Sequence, residues 1–232
     1  MPKYLAIDAS TEACSVALSL ENNVFKEFEL CPQSHSIVLL PMINRLLKQA
    51  DVTLSELDGL IFGRGPGSFT GVRIGVGVAQ GLAFSADLPV VGVSTLQTMA
   101  QQAYEKHQQT EVIAAIDARM SEVYAGYYQL NDAGIMAAVV KETVLPPAEL
   151  AQYLKEHTQG CYSVGSGWDA YESELSSLKT NVDSLDILFP DASAMLSLAK
   201  KEFEDGHSVS AEYAQPVYVR DTVSWKKLPG RE

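Results

Sequence analysis

Two polar stretches carry side chains able to hold a ligand. Asp8, Ser10 and Thr11 end an apolar run, Tyr4-Leu-Ala-Ile7, and Gly63-Arg-Gly-Pro-Gly67 ends another, Leu60 to Phe62. A carboxylate beside two hydroxyls can face a metal ion or a phosphate. Glycine N–H groups ahead of a helix can cradle an anion. Asp8, Ser10, Thr11, Gly65 and Gly67 are therefore the candidate cofactor-binding residues. The same residue types also make ordinary turns, because Asp, Ser and Thr bond nearby backbone and glycine supplies unusual backbone angles. The spacing fits neither common phosphate loop. No lysine lies between Lys48 and Lys106 to complete a Walker motif, and the Gly-x-Gly-x-x-Gly order of a dinucleotide fold is absent.

The element behind the glycine turn is a helix that local propensity does not explain. Ser68 or Thr70 can cap it, and Gly71, Gly75, Gly77 and Gly81 lie inside it. Each costs roughly 1 kcal/mol relative to alanine, so close backbone approach is the expected compensation. Gly71/Gly75 and Gly77/Gly81 form smooth patches on different sides. Two apolar stripes accompany them, Val72/Val76/Ala79/Ala83 and Ile74/Val78/Leu82. The helix expected over 34–50, capped by Ser34 or Ser36, is also apolar around most of its circumference, with Pro41 near its start. Helices apolar on two sides are buried on two sides: one by their own core, the other open to a partner.

A net charge of −12 and a pI near 4.7 disfavour independent nucleic-acid binding. Cys14, Cys31 and Cys161 are scattered, neither a disulfide framework nor a zinc ligand set, and fit a reducing cytosol. The start of the chain is too short for a signal-peptide core, and 72–86 falls short of a membrane span, so a soluble cytoplasmic protein is expected. His35, His107, His157 and His207 stand far apart, with no His-x-x-x-His, His-Glu-x-x-His or Cys-x-x-Cys. Gly165-Ser-Gly167 lacks the frame of a nucleophile elbow. No catalytic residue and no metal ligand is assigned.

The chain reads as a duplication. Strands at 4–7, 15–20 and 24–30 form a meander, followed by helix, strand 60–62, helix, strand 88–93 and a helix from Ser94-Thr95 to about His107. Ala6-Ile-Asp-Ala9 then recurs as Ala115-Ile-Asp-Ala118, and Leu60-Ile-Phe-Gly-Arg-Gly65 is echoed by Tyr162-Ser-Val-Gly-Ser-Gly167. The second copy replaces Ser10-Thr11 by Arg119-Met120, and helices are expected over 148–156 and 192–203. The expected organisation is an α/β fold of two βββαβα lobes, 1–108 and 109–220. A last extended segment covers 212–219, and 221–232 is a mobile tail.

Such a duplicated meander resembles the actin/sugar kinase/Hsp70 superfamily of ribonuclease H-like lobes. More closely, Ile7-Asp-Ala-Ser, Ser34-His-Ser-x-x-Leu-Leu-Pro41, Gly65-Pro-Gly-Ser-Phe-Thr-Gly-Val-Arg-Ile-Gly75, Ile116-Asp-Ala-Arg119 and Pro216-Val-Tyr-Val-Arg220 resemble the TsaB (YeaZ) family over nearly the whole chain. The resemblance implies a non-catalytic accessory subunit for N6-threonylcarbamoyladenosine at tRNA position 37. It would pair with the transferase TsaD and the ATPase TsaE, form a homodimer alone, and meet tRNA only through the complex. It also implies that the metal-binding His-x-x-x-His of TsaD is reduced here to His35 and Leu39. ATP or ADP, where bound, would sit in the lobe cleft or at the subunit interface. The partner face implied by helices 34–50 and 71–85 is Leu39, Met42, Leu46, Gly71, Val72, Gly75, Val76, Ala79 and Ala83. The competing readings are an ATP-dependent enzyme of the superfamily and, further off, a glycopeptidase-like protease.

Overall fold

The computed structural model describes residues 2–21, 23–154, 160–179 and 182–220. The expected tail and the end of the helix expected over 148–156 lie outside them. β1 (Tyr4–Asp8), β2 (Ala13–Leu20) and β3 (Asn23–Leu30) form the antiparallel meander. β4 (Gly59–Gly63) and β5 (Val90–Val93) add in parallel, giving the order β3-β2-β1-β4-β5. The second sheet repeats this plan. β6 (Glu111–Arg119), β7 (Glu122–Leu130) and β8 (Met136–Leu145) pair antiparallel, with β9 (Cys161–Val164) and β10 (Val182–Ser184) parallel, in the order β10-β9-β6-β7-β8.

The helices are α1 (His35–Gln49), α2 (Phe69–Ala86), α3 (Thr95–His107), α4 (Pro147–Tyr153), α5 (Gly167–Ala170), α6 (Ser176–Lys179) and α7 (Ala192–Glu204). Ser68, Ser94 and Asp191 cap α2, α3 and α7 through their side chains, each accepting a first-turn N–H. Ser34 precedes α1 without a side-chain cap, and Pro41 lies past its first turn. The helix tolerates that loss because Leu39, Met42, Ile43 and Leu46 bury one face. Among the described residues the second lobe has no counterpart to the long α2, only the single turns α5 and α6. The segment expected to be extended over 212–219 begins instead in the 3-10 turn Ala211–Tyr213, and the chain after it runs outside the ladder, with Val217 N–H bonding the Arg64 carbonyl at 2.8 Å.

Strand alternation sorts the core into layers. Leu5 and Ile7 face α1 and α2, whereas Ala6 and Ala17 face the opposite way, against α7. In the second sheet Ile113 and Ala115 face α4 to α6, and Val112, Ala114 and Ile116 face α3. Thus the last helix of each half packs on the other half's sheet, and α3 lies against α7 between them. Two sheets with helices on both faces, tied by exchanged helices, are a two-lobed α/β fold of the actin-like kind.

Candidate functional site

The β1–β2 tip and the glycine turn pack onto each other. Ser68 N–H bonds the Ser10 carbonyl at 2.7 Å, and a β-carbon at Gly67 would stand 2.2 Å from that oxygen. At Gly71 it would stand 2.2 Å from the Ala9 carbonyl, and at Gly63 it would meet the Asp8 carboxylate. Three glycines are thus required by contacts within the chain. Gly65 adopts φ +92° and its carbonyl accepts from Thr95 N–H at 3.0 Å.

Those contacts occupy most of the candidate ligands. Asp8 Oδ1 accepts from Ser10 N–H at 2.9 Å and Ser10 Oγ–H at 2.8 Å, and Thr95 donates to Ser10 Oγ at 2.9 Å. Thr11 Oγ1 accepts from Ala13 N–H, while its carbonyl lies 2.6 Å from His35 Nε2. Asp8 is buried, and among the described residues its Oδ2 has no hydrogen-bond partner. Burial pushes its pKa up to about 6 although the Ser10 bonds and nearby His35 oppose the rise. Ser10, Thr11 and Gly67 reach the cleft between the lobes, of about 360 Å³. Asp8 and Gly65 do not line it.

The opposite wall comes from the second hairpin. Asp117 Oδ1 accepts from Arg119 N–H at 2.8 Å, reproducing the Asp8–Ser10 turn, and Arg119, Met120 and Ser121 all take positive φ. Arg119 bridges the lobes, bonding Asp117 at 2.9 Å and Glu12 at 2.8 Å. Arg220 pairs with Glu122 and with the Ala118 carbonyl, and stands over Tyr124. The arginines of this wall are therefore matched to carboxylates. Arg119 and Arg220 lie within sequence motifs that imply no role for them; only the fold brings them beside Glu12 and Glu122.

The partner face needs correction. Leu39, Met42, Leu46, Gly71, Val72, Gly75, Val76, Ala79 and Ala83 are all buried against the first sheet. Their stripe closes the chain's own core, so no partner reaches it. The open face is the other one. On α2 it carries Arg73, Gly77, Gly81 and Phe84, with Ile74, Val78 and Leu82 half-buried beside them. On α1 it carries Ile37, Leu40, Pro41 and Asn44. Phe84 is 82% exposed and Ile37 73%, and among the described residues a β-carbon at Gly77 or Gly81 would meet nothing within 4 Å. Among the described residues no helix is long and apolar enough to cross a membrane.

Comparison with known proteins agrees with this architecture. The family model described as TsaD: tRNA N6-adenosine threonylcarbamoyltransferase matches residues 20–222. The tRNA threonylcarbamoyladenosine biosynthesis protein TsaB of Escherichia coli (strain K12) is 46% identical, covering 99% of this chain and all of that protein (100%). Its namesake from Haemophilus influenzae is 45% identical, covering 98% of each chain. The solved structure of YeaZ from Pseudomonas aeruginosa superposes with a TM-score of 0.84 at 45% identity, covering 94% of this chain and 100% of that one. The chain belongs to the TsaB family, with the two-lobed fold that its sheets define.

Proposed function

We propose that this chain is a non-catalytic accessory subunit of the machinery that makes N6-threonylcarbamoyladenosine at tRNA position 37. It scaffolds and activates the TsaD transferase together with TsaE, pairs with itself when TsaD is absent, and works in the cytoplasm. Its relatives are named for this biosynthesis. One observation carries the subunit reading. The outer face of α2 keeps two glycines, Gly77 and Gly81, with open space where a side chain would go, among exposed and half-exposed apolar residues. Helix glycine without an internal packing reason, at roughly 1 kcal/mol each, fits a surface smoothed for another helix. Tested against the alternatives, the cleft offers an enzyme little: the Ser10 hydroxyl and Asp8 Oδ1 are bonded to each other, and Arg119 and Arg220 are paired with acids.

The test is co-purification of the chain with TsaD, followed by native mass spectrometry of wild type, Gly77→Arg and Gly81→Arg. Wild type is expected as heterodimer with TsaD and as homodimer alone, with both variants folded and monomeric. Full association of both variants removes this face from the proposal. Threonylcarbamoyl transfer by the isolated chain would replace the accessory reading with an enzymatic one.

A further inference from the structure

Strand pairing brings together three metal-ligating side chains that are dispersed in sequence. Cys14 stands near the start of β2, Cys31 directly follows β3, and His35 opens α1. Cys31 N–H bonds the Glu12 carbonyl at 3.0 Å, which closes the end of the β2–β3 ladder and sets the two thiols side by side. One ligand atom from each of the three residues lies within 4.8 Å of the others, and all three residues are buried. We propose that Cys14, Cys31 and His35 form a binding site for a single thiophilic divalent cation, zinc being the best match.

Three features of the site favour that class of ion. The His35 tautomer is set by its neighbour: the Thr11 carbonyl can only accept, so Nε2 carries the proton and Nδ1 keeps a free lone pair. A ring N–H held by a backbone carbonyl is the usual outer support of a metal-bound histidine. The distances are also close to what is needed. Zinc–sulfur bonds of about 2.3 Å and zinc–nitrogen bonds of about 2.0 Å place tetrahedral ligand atoms roughly 3.5–3.8 Å apart. Contraction by at most about 1.3 Å from the 4.8 Å limit closes the site, within reach of small side-chain rotations. Finally, two thiolates and a neutral imidazole cancel the charge of a divalent ion, as a buried position requires. Calcium and magnesium call for oxygen donors instead.

Burial and the adjoining Cys31 hold the Cys14 thiol well above its ordinary pKa. Ligation through two thiolates displaces the thiol protons to solvent, forming two metal–sulfur bonds and one metal–nitrogen bond without oxidation or reduction. The ion also places positive charge near Asp8, whose carboxylate interacts with both Cys14 and His35. Filled, the site joins β2, β3 and α1 behind the hairpin tip and behind the start of a helix whose outer face we assign to a partner. That placement rests on the chain's own contacts and stands apart from the partner reading.

The test uses the full chain, stripped of metal and kept reduced, titrated with Zn(II) against a chromophoric chelator and separately with Co(II). One equivalent of zinc is expected, with release of two protons, a rise in Tm of several degrees and thiolate-to-cobalt charge-transfer absorption. Cys14→Ser, Cys31→Ser and His35→Gln should each weaken binding at least about 10-fold, with Cys161→Ser as a control that keeps it. Far-UV circular dichroism checks that each variant is folded. For any variant that is not, X-ray absorption of the zinc-loaded wild type decides, expected to show two sulfur ligands and at least one nitrogen. Three results overturn the site: no zinc uptake by reduced wild type, uptake without proton release, or an oxygen-only ligand shell.

Discussion

The two ends of α2 carry the same expensive residue for opposite reasons. At the N-terminal end, Gly67 just before the cap and Gly71 in the first turn let the backbone press against the Ser10 and Ala9 carbonyls, and a single β-carbon would collide with them. Farther along, Gly77 and Gly81 meet no other atom within 4 Å among the described residues, so no contact there requires them. A glycine held by its own fold reports on stability, and a glycine without an internal contact reports on something outside the molecule. The helix thus divides into a part that builds the domain and a part that presents a surface.

The largest expected effect tests the packed end. Gly71→Val puts a branched side chain where even a β-carbon would lie 2.2 Å from the Ala9 oxygen, and should cost at least about 3 kcal/mol in urea denaturation. An unchanged midpoint would remove the close-approach argument. Next, Asp8 beneath the same turn has a folded pKa of about 6, against roughly 3.9 in an unfolded chain. Its stabilising contribution is therefore fully present below about pH 4 and is lost as pH rises through about 6, by roughly 3 kcal/mol. Denaturation of zinc-free protein from pH 4 to 7 should show that slope, and Asp8→Asn should flatten it.

The open end gives the opposite sign. Gly77→Ala and Gly81→Ala should each stabilise the isolated monomer by about 1 kcal/mol, while weakening self-association in sedimentation experiments. Destabilisation by both would erase the contrast between the two ends. The smallest effect concerns the lobe bridge. Arg119 is exposed and its ion pairs with Glu12 and Asp117 are solvent-screened, so Arg119→Ala should change stability by less than about 1 kcal/mol. A larger loss in thermal unfolding would make the bridge a structural clamp.

The comparison also separates what was legible in the residues from what was not. The strand and helix order of the first half, the Ser68 and Ser94 caps and the duplication follow from short-range periodicity and hydroxyl placement. The outward stripe of α2 was misassigned because both stripes are apolar, and hydrophobic pattern cannot tell a core from a partner surface. Neither the short α5 and α6 nor the 3-10 turn Ala211–Tyr213 was legible in the residues. Both depend on packing that local propensity does not encode.

By itself the sequence determined the two-lobed α/β plan, the polar hairpin tips and the costly glycines, since each rests on neighbours within a few residues. Tertiary structure alone decided which glycines are constrained, which stripe is core, and that α3 and α7 exchange lobes. It also decided that Arg119 meets Glu12 and that Cys14, Cys31 and His35 converge. Those groups are brought together by strand pairing and layer packing, and pairing register is a property of the whole sheet rather than of any one strand.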